Sequence, residues 1–192
     1  MRIVHSVLAG SILLGASPLL ASPALPSYTF HMDVTMRMHT FPWLRIGMEG
    51  DGEYRPGELY QVRFTKTPWF LPQKSRATDL SMLDPAMWTK HYRYEATGKR
   101  DGDTIYTLHA LNDPTLQSAT VGVDAGGCVR DADANYTDGS HIHMSVTPAS
   151  VDGFMLPVSL VADITEPHAA FSADADFKNY VMGAAPTVST TP

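Results

Sequence analysis

Tyr28-Thr29-Phe30-His31-Met32-Asp33-Val34-Thr35-Met36-Arg37-Met38-His39 alternates large apolar and polar side chains without a break. Successive side chains on a strand point to opposite faces, so Tyr28, Phe30, Met32, Val34, Met36 and Met38 share one face. On a helix the same residues would be scattered around the axis. The stretch therefore predicts a long strand with one buried face.

The same pattern recurs downstream. Leu44, Ile46 and Met48 alternate with polar or small residues. Arg55-Pro56-Gly57-Glu58 then turns the chain into Tyr60, Val62 and Phe64. Asp101-Gly102 and Asp138-Gly139 are two-residue hairpin signals flanked by alternating runs. Phe154 to Ile164 and Ala170 to Val181 read as the last strands. The alternation lapses between Thr67 and His91. There, Thr67-Pro68-Trp69-Phe70-Leu71-Pro72 is an apolar loop held by prolines, and Thr78-Asp79 could cap a short helix through Met82. Asp84-Pro85 begins a second helical turn, with Asp as N-cap and Pro at the first helical position, and it carries Met87 and Trp88.

Residues 1–24 have the parts of an export signal: Arg2, an apolar run from Val7 to Leu20, and small residues ending at Ala24. Cleavage is expected after Ala24, leaving one β domain over 25–182 and an Ala/Pro/Thr/Ser-rich tail over 183–192 that reads as disordered. No Cys lies near the cleavage site, so a lipid anchor there is not expected, and no later segment is long enough to span a bilayer. The periplasm is the expected compartment. Cys128 is the only cysteine, which excludes an internal disulfide framework, and it reads as a small buried hydrophobe in a strand. The chain has 14 Lys and Arg against 20 Asp and Glu, a net charge of −6. That balance argues against a nucleic-acid partner, which would need a basic face.

An antiparallel sheet with one apolar face must be covered. A two-sheet sandwich, a closed barrel and a half-open barrel with a cavity all satisfy the alternation. The apolar set is rich in Met and aromatic residues. Met32, Val34, Met36, Met48, Met87 and Trp88 are candidates to line a cavity for an apolar ligand, with Trp69 and Phe70 as its lid.

Three further stretches carry a resemblance. They are the hairpin Tyr92-Arg93-Tyr94-Glu95-Ala96-Thr97-Gly98 to Asp101-Gly102-Asp103-Thr104-Ile105-Tyr106, the run Gly153-Phe154-Met155-Leu156-Pro157, and the closing Asp176-Phe177-Lys178-Asn179-Tyr180. With the order of elements around them, over residues 27–181, the chain resembles the LolA-like superfamily of periplasmic lipoprotein carriers. The resemblance implies a mainly β fold: a strongly curved antiparallel half-barrel of about nine to eleven strands, its concave face covered by a short helical insertion. It also implies binding of a lipid, acyl chain or acylated protein, with an envelope protein as a further partner.

Catalytic signatures are sparse. No Gly-x-Ser-x-Gly elbow and no phosphate-binding glycine loop occurs. His141 and His143 share one strand side and are weak metal candidates, since Ile142, Met144 and Val146 take the apolar face and a third ligand is needed. The expectation is a non-enzymatic carrier without a cofactor. An enzyme on the same fold, metal-dependent through His141 and His143 or cofactor-free, is the first alternative, and an interaction module without a cavity the second.

Overall fold

A computed structural model describes residues 25–69 and 77–183. The expected leader, the expected tail from residue 184 onward and Phe70 lie outside them. Among the described residues the chain forms β1 (Tyr28–Met38), β2 (Arg45–Arg55), β3 (Leu59–Lys66) and β4 (Ala77–Asp79). A compact insertion follows: 3-10 turns at Ser81–Leu83 and Pro85–Met87 and the one-turn helix α1 (Trp88–His91). Then come β5 (Tyr92–Arg100), β6 (Asp103–Ala110), β7 (Leu116–Val123), β8 (Val129–Tyr136), β9 (His141–Val151), β10 (Phe154–Glu166) and β11 (Ala169–Met182).

All eleven strands belong to one sheet in the order β4-β3-β2-β1-β11-β10-β9-β8-β7-β6-β5. Each strand pairing is antiparallel, and β4 and β5 are the edges, so the sheet is open. Of the three architectures the alternation allows, the structure adopts the half-barrel. Apart from one junction the order is a meander. That junction sets the first strand against the last, with Val34 opposite Ala175 and Met36 opposite Ala173.

The apolar positions of β1 face the concave side, where Tyr28, Phe30, Met32 and Val34 are buried. The opposite face carries exposed charge pairs such as Arg37 with Asp174 at 2.9 Å and Lys66 with Glu49 at 2.7 Å. Pairs of this kind contribute little to stability. The middle of the concave face is floored by alanines: Ala119, Ala132, Ala134, Ala162, Ala173 and Ala175 are all buried. Small side chains there leave room for the insertion. Its Met87 and Trp88 are fully buried, Trp88 donates its indole N–H to the Met82 carbonyl at 3.1 Å, and its ring meets Tyr94 and Tyr106 edge-on at 5.5 and 5.3 Å.

The local signals have clear outcomes. Asp101-Gly102 turns β5 into β6 with positive φ at both residues, 52° and 94°, as a type I′ turn requires. Asp152-Gly153 does the same between β9 and β10, at 50° and 85°. Asp84 caps the second 3-10 turn, as expected, by accepting the Ala86 N–H at 3.0 Å. Thr78-Asp79 corrects an expectation. It belongs to strand β4, paired with β3, and the Asp79 carboxylate instead receives the backbone N–H of Ser81 at 2.9 Å.

Gly52 on β2 is fixed by close approach. A Cβ there would fall inside the Phe30 ring, and one on Gly50 would come within 2.8 Å of Val62 Cγ1. Bulk on a strand that must pass so close over its neighbours forces off-rotamer side chains. Gly52→Ala is expected to cost about 1–3 kcal/mol of stability. In urea unfolding the midpoint should fall with an unchanged slope.

Candidate functional site

Aromatic rings converge at the end of the sheet where β1 begins. Tyr28 stands opposite Tyr54 in the β1–β2 ladder, and Tyr54 opposite Tyr60 across the β2–β3 turn. The Tyr28 and Tyr54 rings stack at 4.8 Å and 14°, and Tyr60 meets Tyr54 edge-on at 5.4 Å. Tyr180 joins them, 5.6 Å from Tyr28. Strict alternation would send Tyr180 to the face opposite Phe177. A register shift between Thr29 and His31, beside Asn179 at φ 55°, brings it back to the concave side. Its hydroxyl donates to the Pro157 carbonyl. Pro157 faces Pro148 across the β9–β10 ladder, next to a second register shift.

A cleft of about 350 Å³ opens over these rings. Leu83, Asp84, Pro85 and Ala86 of the insertion form one wall, and Gly126–Val129 at the β7–β8 turn forms another. Phe154, Met155, Leu156 and Pro157 close the far side with Val146, Pro148 and Gly153, and Leu25 also lines the cleft. The volume is at the small end of the range for ligand pockets, and the walls are mostly apolar.

Asp84 is the exception among these apolar walls. It is 8 % exposed. Its Oδ1 accepts the Ala86 N–H, whereas its Oδ2 is buried without a partner of hydrogen-bonding geometry. Burial holds this carboxyl above the ordinary 3.8, an effect opposed by the Ala86 N–H and by the nearby Tyr54 hydroxyl. Burial also pushes the phenols of Tyr28, Tyr54 and Tyr60 upward, so they remain neutral.

Several expected site residues lie elsewhere. Met32, Val34 and Met48 face the concave side but are packed into the core, as are Met87 and Trp88 under the insertion. Met36 is half-buried, opposite Ile46 on β2 and Ala173 on β11. None of these six lines the cleft. Trp69 is 93 % exposed and follows the far end of β3, about 20 Å or more along the strand from Tyr60. Cys128 corrects a second expectation. It lies half-buried in the turn before β8 rather than within a strand, it lines the cleft, and burial raises its thiol pKa above 9.0.

His143 Nδ1 lies 2.7 Å and His141 Nε2 3.6 Å from the same oxygen of Asp133. One carboxylate oxygen thus serves both rings. Among the described residues no group of three His, Cys, Asp or Glu is arranged to hold a metal ion.

The cleft residues that sequence reasoning missed had a faint signal. Tyr28, Tyr54 and Tyr60 occupy apolar positions at strand ends, where a phenol offers a ring and a hydroxyl. Asp84 interrupts the apolar run from Met82 to Trp88, and its cap role accounts for only one of its two oxygens.

The sign of the Asp84 shift gives a pH test. Its folded pKa is above its unfolded value, so stability falls as pH rises from about 3.8 through the folded pKa. Asp84→Asn keeps the acceptor for Ala86 and removes the ionisable group. It is expected to be about 1 kcal/mol more stable than the parent near neutral pH, with the gain vanishing below about pH 4. Thermal unfolding midpoints across that range measure it.

No family model matches the chain, and no curated protein matches it. Solved structures do. A LolA superfamily protein from Nitrosomonas europaea superposes with a TM-score of 0.62 at 13 % identity, covering 85 % of this chain and 89 % of that one. A DUF1329 family protein from Desulfovibrio piger gives 0.60 at 11 % identity, with coverage of 88 % and 90 %. A putative outer membrane lipoprotein-sorting protein domain from Vibrio parahaemolyticus gives 0.56 at 10 %, with 84 % and 87 %. Eleven antiparallel strands, open at both edges and folded around a short helical insertion, therefore have the LolA-like fold at a remote distance in sequence.

Proposed function

We propose that this chain is a periplasmic binding protein of the carrier type, without catalytic activity, that shelters the apolar part of a lipid, an acyl chain or an acylated protein. The observation that carries the reading is the cleft itself. It has an aromatic floor, apolar walls and an open mouth, and it lies between a curved sheet and its insertion. A solved structure of like fold is titled a putative outer membrane lipoprotein-sorting protein domain, which supports the same direction. The export signal read at residues 1–24 supports the compartment. Among the described residues no helix is long and apolar enough to cross a membrane.

Burial of an acyl chain contributes about 0.8 kcal/mol per methylene. A few methylenes in a cleft of this size suffice for reversible binding, which suits a carrier that must also release. Trp69, Phe70 and the core methionines are not required to touch the chain in this reading. Met32, Val34, Met36 and Met48 belong to the packing of the concave face, and Met87 and Trp88 are buried with the insertion.

Native mass spectrometry of protein purified from the periplasm without detergent is the test. The expected result is an added mass matching a lipid or acyl species. Ala86 is exposed on the cleft wall, so Ala86→Trp should fill the cleft without touching the core. It is expected to weaken binding of a fluorescent fatty-acyl probe by about tenfold or more, at an unchanged melting temperature. An apo mass that persists after incubation with envelope lipid would refute the carrier reading.

A further inference from the structure

Pro-Trp occurs twice in the sequence, at Pro42-Trp43 and Pro68-Trp69. The sheet brings both to the end opposite the cleft. Pro42-Trp43 lies in the connection from β1 to β2, and Pro68-Trp69 follows the end of β3, the next strand across. In the first, the Leu44 N–H donates to the Phe41 carbonyl at 2.9 Å, closing a turn with proline at its second position. The turn presents Phe41 and Trp43 together, their rings edge to face at 6.0 Å. Phe41, Trp43 and Trp69 are 47, 77 and 93 % exposed. Among the described residues no other Phe, Tyr or Trp is exposed. A connection that only had to turn would carry Gly, Asn or Ser, and large apolar residues gathered on a surface mark a contact. Behind them the last row of the concave face, Met38, Phe171, Ile164 and Ile142, is apolar and only half-buried.

The charge around the rings is one-sided. Residues 34–48 and 59–69 carry Arg37, Arg45, Arg63 and Lys66 and no Asp or Glu, in a chain of net charge −6. Arg37 and Lys66 reach across to Asp174 and Glu49 through exposed pairs, and Arg45 is exposed at the start of β2. The other acids at this end, Asp113, Asp138 and Glu166, belong to the β6–β7 and β8–β9 connections and to the end of β10. Fully covered, the three rings would bury roughly 300–550 Å², short of the about 800 Å² per partner of a stable protein contact. A lipid surface needs no matching face, and a few rings can dip into it.

We propose that this corner of the sheet docks on the surface of an anionic lipid bilayer, with Phe41, Trp43 and Trp69 in the headgroup layer and Arg45 and Lys66 against lipid phosphates. Indole suits that layer because its body is apolar and its N–H is polar, and basic side chains beside it add attraction to anionic lipid. The two prolines restrict their loops, so little freedom is lost when the rings insert. The dock lies away from the cleft and goes beyond the carrier reading.

The test is co-sedimentation of the whole exported protein with vesicles of phosphatidylcholine alone and of phosphatidylcholine with phosphatidylglycerol in equal parts, at low salt. Binding to the mixed vesicles is expected to be about tenfold or more tighter, with the preference shrinking as salt rises. Phe41→Ser combined with Trp43→Ser changes two exposed positions. The pair should weaken binding to mixed vesicles by about tenfold at an unchanged melting temperature, and Arg45→Glu should narrow the preference between the two compositions. Ala86→Trp, which fills the cleft, should sediment as the parent does. No sedimentation with either vesicle would overturn the proposal, as would equal binding to both. Parental binding by the folded double variant would overturn it too, and loss of binding in Ala86→Trp would assign the sedimentation to the cleft instead. A reversible dimer seen by analytical ultracentrifugation, and abolished in the double variant, would make a second copy the occupant in place of the bilayer. None of these failures removes the carrier reading, which native mass spectrometry decides separately.

Discussion

Trp88 holds the insertion against the sheet, and the rest of the architecture depends on that contact. An open sheet with one apolar face is not a stable object in water until something covers the face. The cover here is a few turns between Leu80 and His91, anchored by an indole that donates to the Met82 carbonyl and wedges between Tyr94 and Tyr106. A cover so short cannot reach every part of an eleven-stranded face. The alanine floor lets it sink deep in the middle, and the end near Tyr28 stays open. The cleft is thus a by-product of unequal lengths, a long sheet under a short insertion.

Much of the fold was legible because it is written in local periodicity. The alternation from Tyr28 to Met38 fixes a strand and its buried face whatever that strand pairs with. Asp101-Gly102 carries its hairpin in two residues. The half-barrel came from a resemblance spread over the chain, since alternation alone also fits a sandwich. The site was less legible for the same reason. Which aromatic residues meet depends on β1 pairing with both β2 and β11, and no local pattern states that. The return of Tyr180 to the concave face depends on a bulge set by cross-strand register at Asn179. Methionines drew attention because they are apolar and adaptable, yet Met32 and Met48 spend that adaptability filling the core. Trp69 drew attention because it is large and flanked by prolines, and the chain carries it far from the tyrosines.

The cleft joins two tendencies that usually oppose each other. Its tyrosines stack and interlock like a core, which makes the floor rigid. Its aspartate is held in a state that the folded protein would be more stable without. A packed aromatic floor can support such a group because the rings fix the backbone around it, so the unfavourable oxygen does not simply rotate away to water.

The pairing of β1 with β11 also bears on the order in which the protein assembles. From β5 onward every strand finds its neighbour next in sequence, so this portion can zip together hairpin by hairpin with short loops to close. The first strand has no such freedom on its β11 side. Asp33 and Lys178, joined across that seam, are 145 residues apart. Closing so long a loop is entropically costly and must await the final strand. Until then both the first hairpin and the meander carry an unpaired edge, and the cleft, with its tyrosines on the first and its far wall on the second, does not exist. The cleft is therefore complete only once that seam has closed, and opening the seam takes its two sides apart.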